Sequence, residues 1–84
     1  MADEVSFVQV AAGGDLYEVS HWDEVEQDWY PVATVSLGTA VPTEAVAAAQ
    51  AYAIERGWGG WQWDLRDSYG QPAAWGRFDE GEGA

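Results

Sequence analysis

The densest group of reactive side chains in the chain is HWDEVEQDWY, residues 21–30. Asp23, Glu24, Glu26 and Asp28 place four carboxylates within six positions between Trp22 and Trp29, with no lysine, arginine or glycine among them. Calcium binding is the first chemistry to test. A calcium loop needs oxygen ligands at alternate positions, a glycine at its sharp turn and a bidentate glutamate at its end. Counted from Asp23, the third position is Val25 and the sixth is Asp28, so the EF-hand pattern fails and only a looser carboxylate site stays open. Transition metals are poorly served by a chain with one histidine and no cysteine. No metal and no cofactor is therefore expected.

Acid–base catalysis is the second chemistry. A glycosidase-like pair needs two carboxylates held about 5 Å or about 6.5–9.5 Å apart in a cleft. With fifteen acids in 84 residues such pairs arise by chance, and so short a chain has little material for a cleft. His21 is the sole histidine, and its neighbour Ser20 points to the opposite face of a strand. The glycine-rich GWGG, residues 57–60, lacks the lysine and the spacing of a phosphate-cradling loop. These residues predict no enzyme and no catalytic set.

The third chemistry is charge display. Fifteen acids face three arginines and no lysine, a net charge of −12. Direct binding to nucleic acid or to an anionic membrane is disfavoured, because both need basic side chains. The charge either keeps the protein soluble or presents a negative surface to a basic partner, and the clustering favours the second. Duplex DNA carries one charge per about 1.7 Å of axis, so −12 matches about 20 Å of duplex, near the size of a small domain face. The expected contact residues are Asp23, Glu24, Glu26 and Asp28, supported by Glu18, Asp64 and Asp67. Trp22 and Trp29 beside them supply apolar anchors that charge alone lacks. Sugar stacking on tryptophan needs no basic charge and stays open as a minor alternative.

These side chains must be held by a small scaffold. Val5–Val10 (VSFVQV) is rich in β-formers and predicts a strand, followed by a turn through Gly13-Gly14. Leu16–Trp22 predicts a second strand, with Tyr17, Val19 and His21 on one face and Leu16, Glu18, Ser20 and Trp22 on the other. The centre of the acidic stretch lacks Gly and Asn, which argues for a longer hairpin connection than a two-residue turn. Trp29–Leu37 predicts a third strand that is either a sheet edge at Pro31 or starts after it, because proline has no N–H for a ladder. A helix is expected over about 44–56, with Thr43 as N-cap and Gly57 as its stop. Ala45, Val46, Ala49 and Ala53, with Tyr52 and Ile54, form its expected buried stripe. WQWDLR alternates strictly and predicts a strand with Trp61, Trp63 and Leu65 in the core. Ala73–Phe78 predicts a last strand, whose Gly76 relieves crowding against a large neighbour or marks a bulge.

The order β-β-β-α-β-β predicts a two-layer α+β domain, an antiparallel sheet with one packed helix. One domain spans residues 1–84, with residues 79–84 an acidic frayed tail. The lack of cysteine, of a signal-like segment and of a long apolar run predicts a cytoplasmic protein.

In size, acidity and layout the chain is similar to the small phage and mobile-element proteins that inhibit host defence nucleases, among them anti-CRISPR proteins and other DNA mimics. The likeness is carried by DLYEVSHWDEVEQDWYPVATV, PTEAVAAAQAYAIERGW and WQWDL. It implies a non-catalytic inhibitor of a nucleic-acid-handling protein, acting in the host cytoplasm. The alternative is a protein–protein interaction module using exposed tryptophans such as Trp22, Trp29 or Trp75, with acidity serving only solubility. It would be a monomer, or a homodimer through the Pro31 strand or the last strand.

Overall fold

A computed structural model describes residues 3–79 of the chain. Five strands and one helix follow each other as β1 (Glu4–Gln9), β2 (Leu16–Asp23), β3 (Asp28–Ser36), α1 (Val46–Arg56), β4 (Gln62–Arg66) and β5 (Pro72–Arg77). The fold is α+β with a single helix on one sheet. The acidic tail expected over 79–84 lies, from residue 80 on, outside the described residues.

The expectation of an antiparallel sheet is corrected in one place. The spatial order is β3-β2-β1-β4-β5, and the central pair β1–β4 is parallel. The reason is the connection through α1. Two hairpin-type pairings bring β3 back along the direction of β1, and the helix then returns the chain so that β4 enters beside β1 in that same direction. Parallel neighbours need such a crossover, whereas the antiparallel pairs need only turns.

Period-2 alternation divides the sheet into two unlike faces. On one face, Val5 and Phe7 of β1, Tyr17 and Val19 of β2, and Trp63 and Leu65 of β4 lie under the helix. All six are at most 9% exposed, as are the helix-side Ala45, Ala49 and Ala53. The alanines let the helix come close, and rings fill the remaining space. Phe7 meets Tyr52 and Phe78 edge-on, each with centroids 6.3 Å apart, and Trp63 stacks on Phe78 at 5.8 Å. A Cβ at Gly76, opposite Trp63, would lie 3.1 Å from Trp63 Cζ2, so this glycine does relieve crowding against a large neighbour. The Tyr17 hydroxyl donates to Thr39 O at 3.1 Å. Burial, then the negative charge of Asp15, pushes the Tyr17 phenol above its ordinary pKa.

Several local expectations are adjusted. Thr43 is not the N-cap. Pro42, with its φ already set, opens a 3₁₀ turn over Pro42–Glu44 that leads into α1, and Thr43 sits inside that turn. Thr39 does the local bonding instead, its Oγ1 accepting the Val41 N–H at 3.1 Å. Gly57 ends α1 as expected, left-handed at φ 79° with its N–H bonded to the last turn. Ile54 is exposed rather than part of the stripe, because it lies off the line of Ala45, Ala49 and Ala53. Trp61 precedes β4 but still packs against the core, half-buried and stacked on the buried Trp58 at 5.3 Å.

Candidate functional site

The four carboxylates of the 21–30 stretch stand at one end of the sheet. The last cross-strand pair of the β2–β3 hairpin is Asp23 with Asp28, leaving Glu24, Val25, Glu26 and Gln27 as the loop. This is the longer connection that the missing glycine implied. The Asp23 side chain builds it: Oδ1 accepts the N–H of Val25 at 2.8 Å and of Glu26 at 3.1 Å. Such side-chain turns are a general use of aspartate. Gln27 adopts the left-handed conformation, φ 57°, that closes the loop. Asp28 Oδ1 accepts the Trp29 N–H at 2.8 Å. Glu24, Val25, Glu26 and Gln27 are all exposed. Trp22 and Trp29 are cross-strand partners at the base of the loop, edge to face with centroids 5.4 Å apart.

Trp22 and Trp29 share the sheet face that α1 does not cover. Cross-strand register orders this open face into rows. One row runs Pro31, Ser20, Ser6, Asp64 and Trp75 from β3 to β5. A second runs Thr34, Glu18, Val8, Arg66 and Pro72. The tryptophan pair stands one step along on the β2–β3 side, and Glu4, Gln62 and Arg77 on the β1–β4–β5 side. Three shallow depressions, of about 460, 420 and 420 Å³, lie on this face. The first is walled by Trp75, the second has Ser6 and Ser20 in its floor and Trp29 in its wall, and the third is bordered by Glu18. Trp75 is 73% exposed and Trp29 37%.

The expected site residues therefore fall into three places. Asp23, Glu24, Glu26 and Asp28, with Trp22 and Trp29, come together at the hairpin end. Glu18 and Asp64 lie on the open face, on strands separated by β1. Asp67 stands in the β4–β5 turn, which its Oδ1 shapes by accepting the N–H groups of Tyr69 and Gln71, both at 2.9 Å. Asp64 is paired with Arg66 at 3.1 Å, the one salt bridge among the described residues, and its Oδ1 is buried without a hydrogen-bond partner. Other acids stand elsewhere, Glu44 and Glu55 among them in and before the helix. Among the described residues no three His, Asp or Glu side chains gather to hold a metal ion. Among the described residues no helix is long and apolar enough to cross a membrane.

The arginines are drawn into local contacts. Arg66 also donates to Gly70 O at 2.9 Å, Arg77 donates to Gly60 O at 2.8 Å, and Arg56 lies over the rings of Tyr52 and Trp58 at 5.4 and 5.5 Å. The serine floor was missed by sequence reasoning. Its signal was present: Ser6 and Ser20 alternate with the buried Val5, Phe7 and Val19, and a single helix can cover only one face of a sheet.

The fold and site define a small acidic α+β protein with one helix-covered sheet face and one open, aromatic face. The chain matches no protein-family model, no curated protein and no solved structure.

Proposed function

We propose that this protein is a non-catalytic acidic binding protein that occupies the nucleic-acid site of a basic host defence protein, such as a CRISPR effector or a restriction enzyme. One observation carries the reading: the carboxylates of Asp23, Glu24, Glu26 and Asp28 stand on an exposed hairpin end directly continuous with the tryptophans of an uncovered sheet face. Charge would draw a basic partner in, and fast, salt-sensitive association follows from such a field. The rings would provide the desolvated anchors that hold it.

The test is competition with duplex DNA for purified effectors and restriction enzymes. Replacing Asp23, Glu24, Glu26 and Asp28 together by alanine should weaken inhibition at least about tenfold and flatten its salt dependence. Unchanged inhibition in that variant would sink the proposal.

A second reading, a self-associating or protein-binding module, is favoured by one specific feature. Trp75 is largely exposed and sits on β5, one of the two sheet edges; β3, with Pro31, is the other. In that case binding survives removal of the hairpin charge and collapses with Trp75→Ala.

A further inference from the structure

The open sheet face has the shape and charge of a seat for a helix. Its floor is small on two strands, Ser20 on β2 and Ser6 on β1, with Ser6 only 5% exposed, and is completed on β4 by the Asp64–Arg66 pair. Large rings rise on both sides, Trp22 and Trp29 from β2 and β3, and Trp75 from β5. Between β2 and β5 lie three strand spacings. At about 4.8 Å each these span about 14 Å. An α-helix with its side chains is about 10–12 Å across. The major groove of B-DNA, which also admits a helix, is about 12 Å wide.

The rims of this trough decide which helix it takes. Glu18 borders it on β2 and Glu4 on β1, and the carboxylates of the hairpin loop lie beyond Trp22 and Trp29. Two arginines share this face, but Arg66 is already paired with Asp64 and Arg77, beside Trp75, donates to Gly60 O. A second copy of this chain would bring another net charge of −12 against the first, so charge complementarity points to a basic occupant instead.

We infer that the open face binds a basic amphipathic helix of the partner protein, laid between Trp22/Trp29 and Trp75 over the Ser6/Ser20 floor. This inference rests on the proposed inhibitory function and specifies it: the trough stands in for a DNA groove, and the occupant is the helix that would otherwise enter that groove. Lysine or arginine stems lie against the tryptophan faces, and their charges reach Glu4, Glu18 and the hairpin.

The probe is a synthetic alanine-based helical peptide of about fifteen residues with arginines along one face, long enough to be helical. Its control has the same charge but carries two prolines that prevent the helix. The expected result is saturable one-to-one binding that shifts the indole N–H resonances of Trp22, Trp29 and Trp75 together. The proline peptide should bind at least about tenfold more weakly. Ser20→Arg, which fills the floor and adds a positive charge, and Trp75→Ala, at a largely exposed position, should each weaken the helix at least about tenfold. Melting curves verify that each variant is folded, and Trp75→Ala keeps the test intact if Ser20→Arg is not. Equal affinity for the proline peptide, an unmoved Trp75 resonance or undiminished binding by the folded variants overturns the inference. So does a wild-type dimer in sedimentation that Ser20→Arg dissociates, since the occupant is then a second copy. Failure here is separable from failure of the inhibitory function. If Ser20→Arg still displaces DNA from the effector as well as wild type does, the helix seat falls and the mimicry stands.

Discussion

Tyr17 joins the core to the turn that precedes the helix, and its ionisation can be followed. Its ring is fully buried and its hydroxyl bonds Thr39 O. Because the folded pKa lies above the ordinary value of 10.0, the unfolded chain loses this proton first as pH rises. Its stabilising contribution is therefore complete below about pH 10 and is lost as pH climbs through the higher folded pKa. Urea melts of wild type and Tyr17→Phe from about pH 7 to about pH 11.5 should show the variant weaker by about 1 kcal/mol near neutrality, for the lost hydrogen bond, with a shallower alkaline decline. Parallel alkaline slopes would refute this account. Gly76 makes a second prediction at the same scale. A branched side chain there meets the Trp63 ring, which is itself held against Phe78. Gly76→Val should cost about 1–3 kcal/mol in denaturant melts, despite valine's better strand propensity, because overpacking outweighs it.

At the scale of elements, the two hairpin turns are built by aspartates in similar ways. Asp23 collects two backbone N–H groups in the β2–β3 loop and Asp67 two in the β4–β5 turn. Asp67→Ala should lower stability by about 1–2 kcal/mol with no loss of partner binding, measured by melts and by competition with DNA. Gln27→Gly should raise stability by about 0.5 kcal/mol, since glycine adopts the left-handed turn without a Cβ penalty. The elements themselves were largely legible in the sequence, because alternation in LYEVSHW and WQWDLR and the Gly57 stop are local signals. Pro31 left β3 either an edge strand or one starting after it; β3 is an edge strand that runs through Pro31, and the register shift between Val19 and Ser20 falls opposite it. The parallel β1–β4 pairing was not legible, because strand partners far apart in sequence are chosen by where the crossover returns the chain. The candidate site divides in the same way. The hairpin acids were visible as a run, whereas the serine floor depends on β1 and β2 pairing in the register that sets Ser6 beside Ser20 on the face the helix leaves open.

At the scale of the whole molecule, one property pulls stability and binding in opposite directions. The domain measures 34 × 32 × 19 Å and carries a net charge of −12, with one salt bridge among the described residues. At about 0.01 M salt the Debye length is about 30 Å, so nearly every carboxylate feels every other across the fold. At about 1 M it is about 3 Å, and only immediate neighbours interact. Folding concentrates the charge that the unfolded chain spreads out, so screening favours the folded state. Raising sodium chloride over this range should therefore increase stability by about 1–2 kcal/mol, seen as a rise of about 4–16 °C in Tm for a domain of this size. Chloride is the salt to use, since sulfate would also strengthen apolar burial by exclusion from the surface. Attraction to a basic partner is screened by the same ions, so affinity should fall along the same series as stability rises. Removing the four hairpin carboxylates should reduce both slopes, because they are the densest source of repulsion within the fold and of attraction toward a partner. A Tm that is flat or falls in chloride would mean that the acids are too dispersed to repel one another. An affinity insensitive to salt would transfer binding from charge to the tryptophans alone.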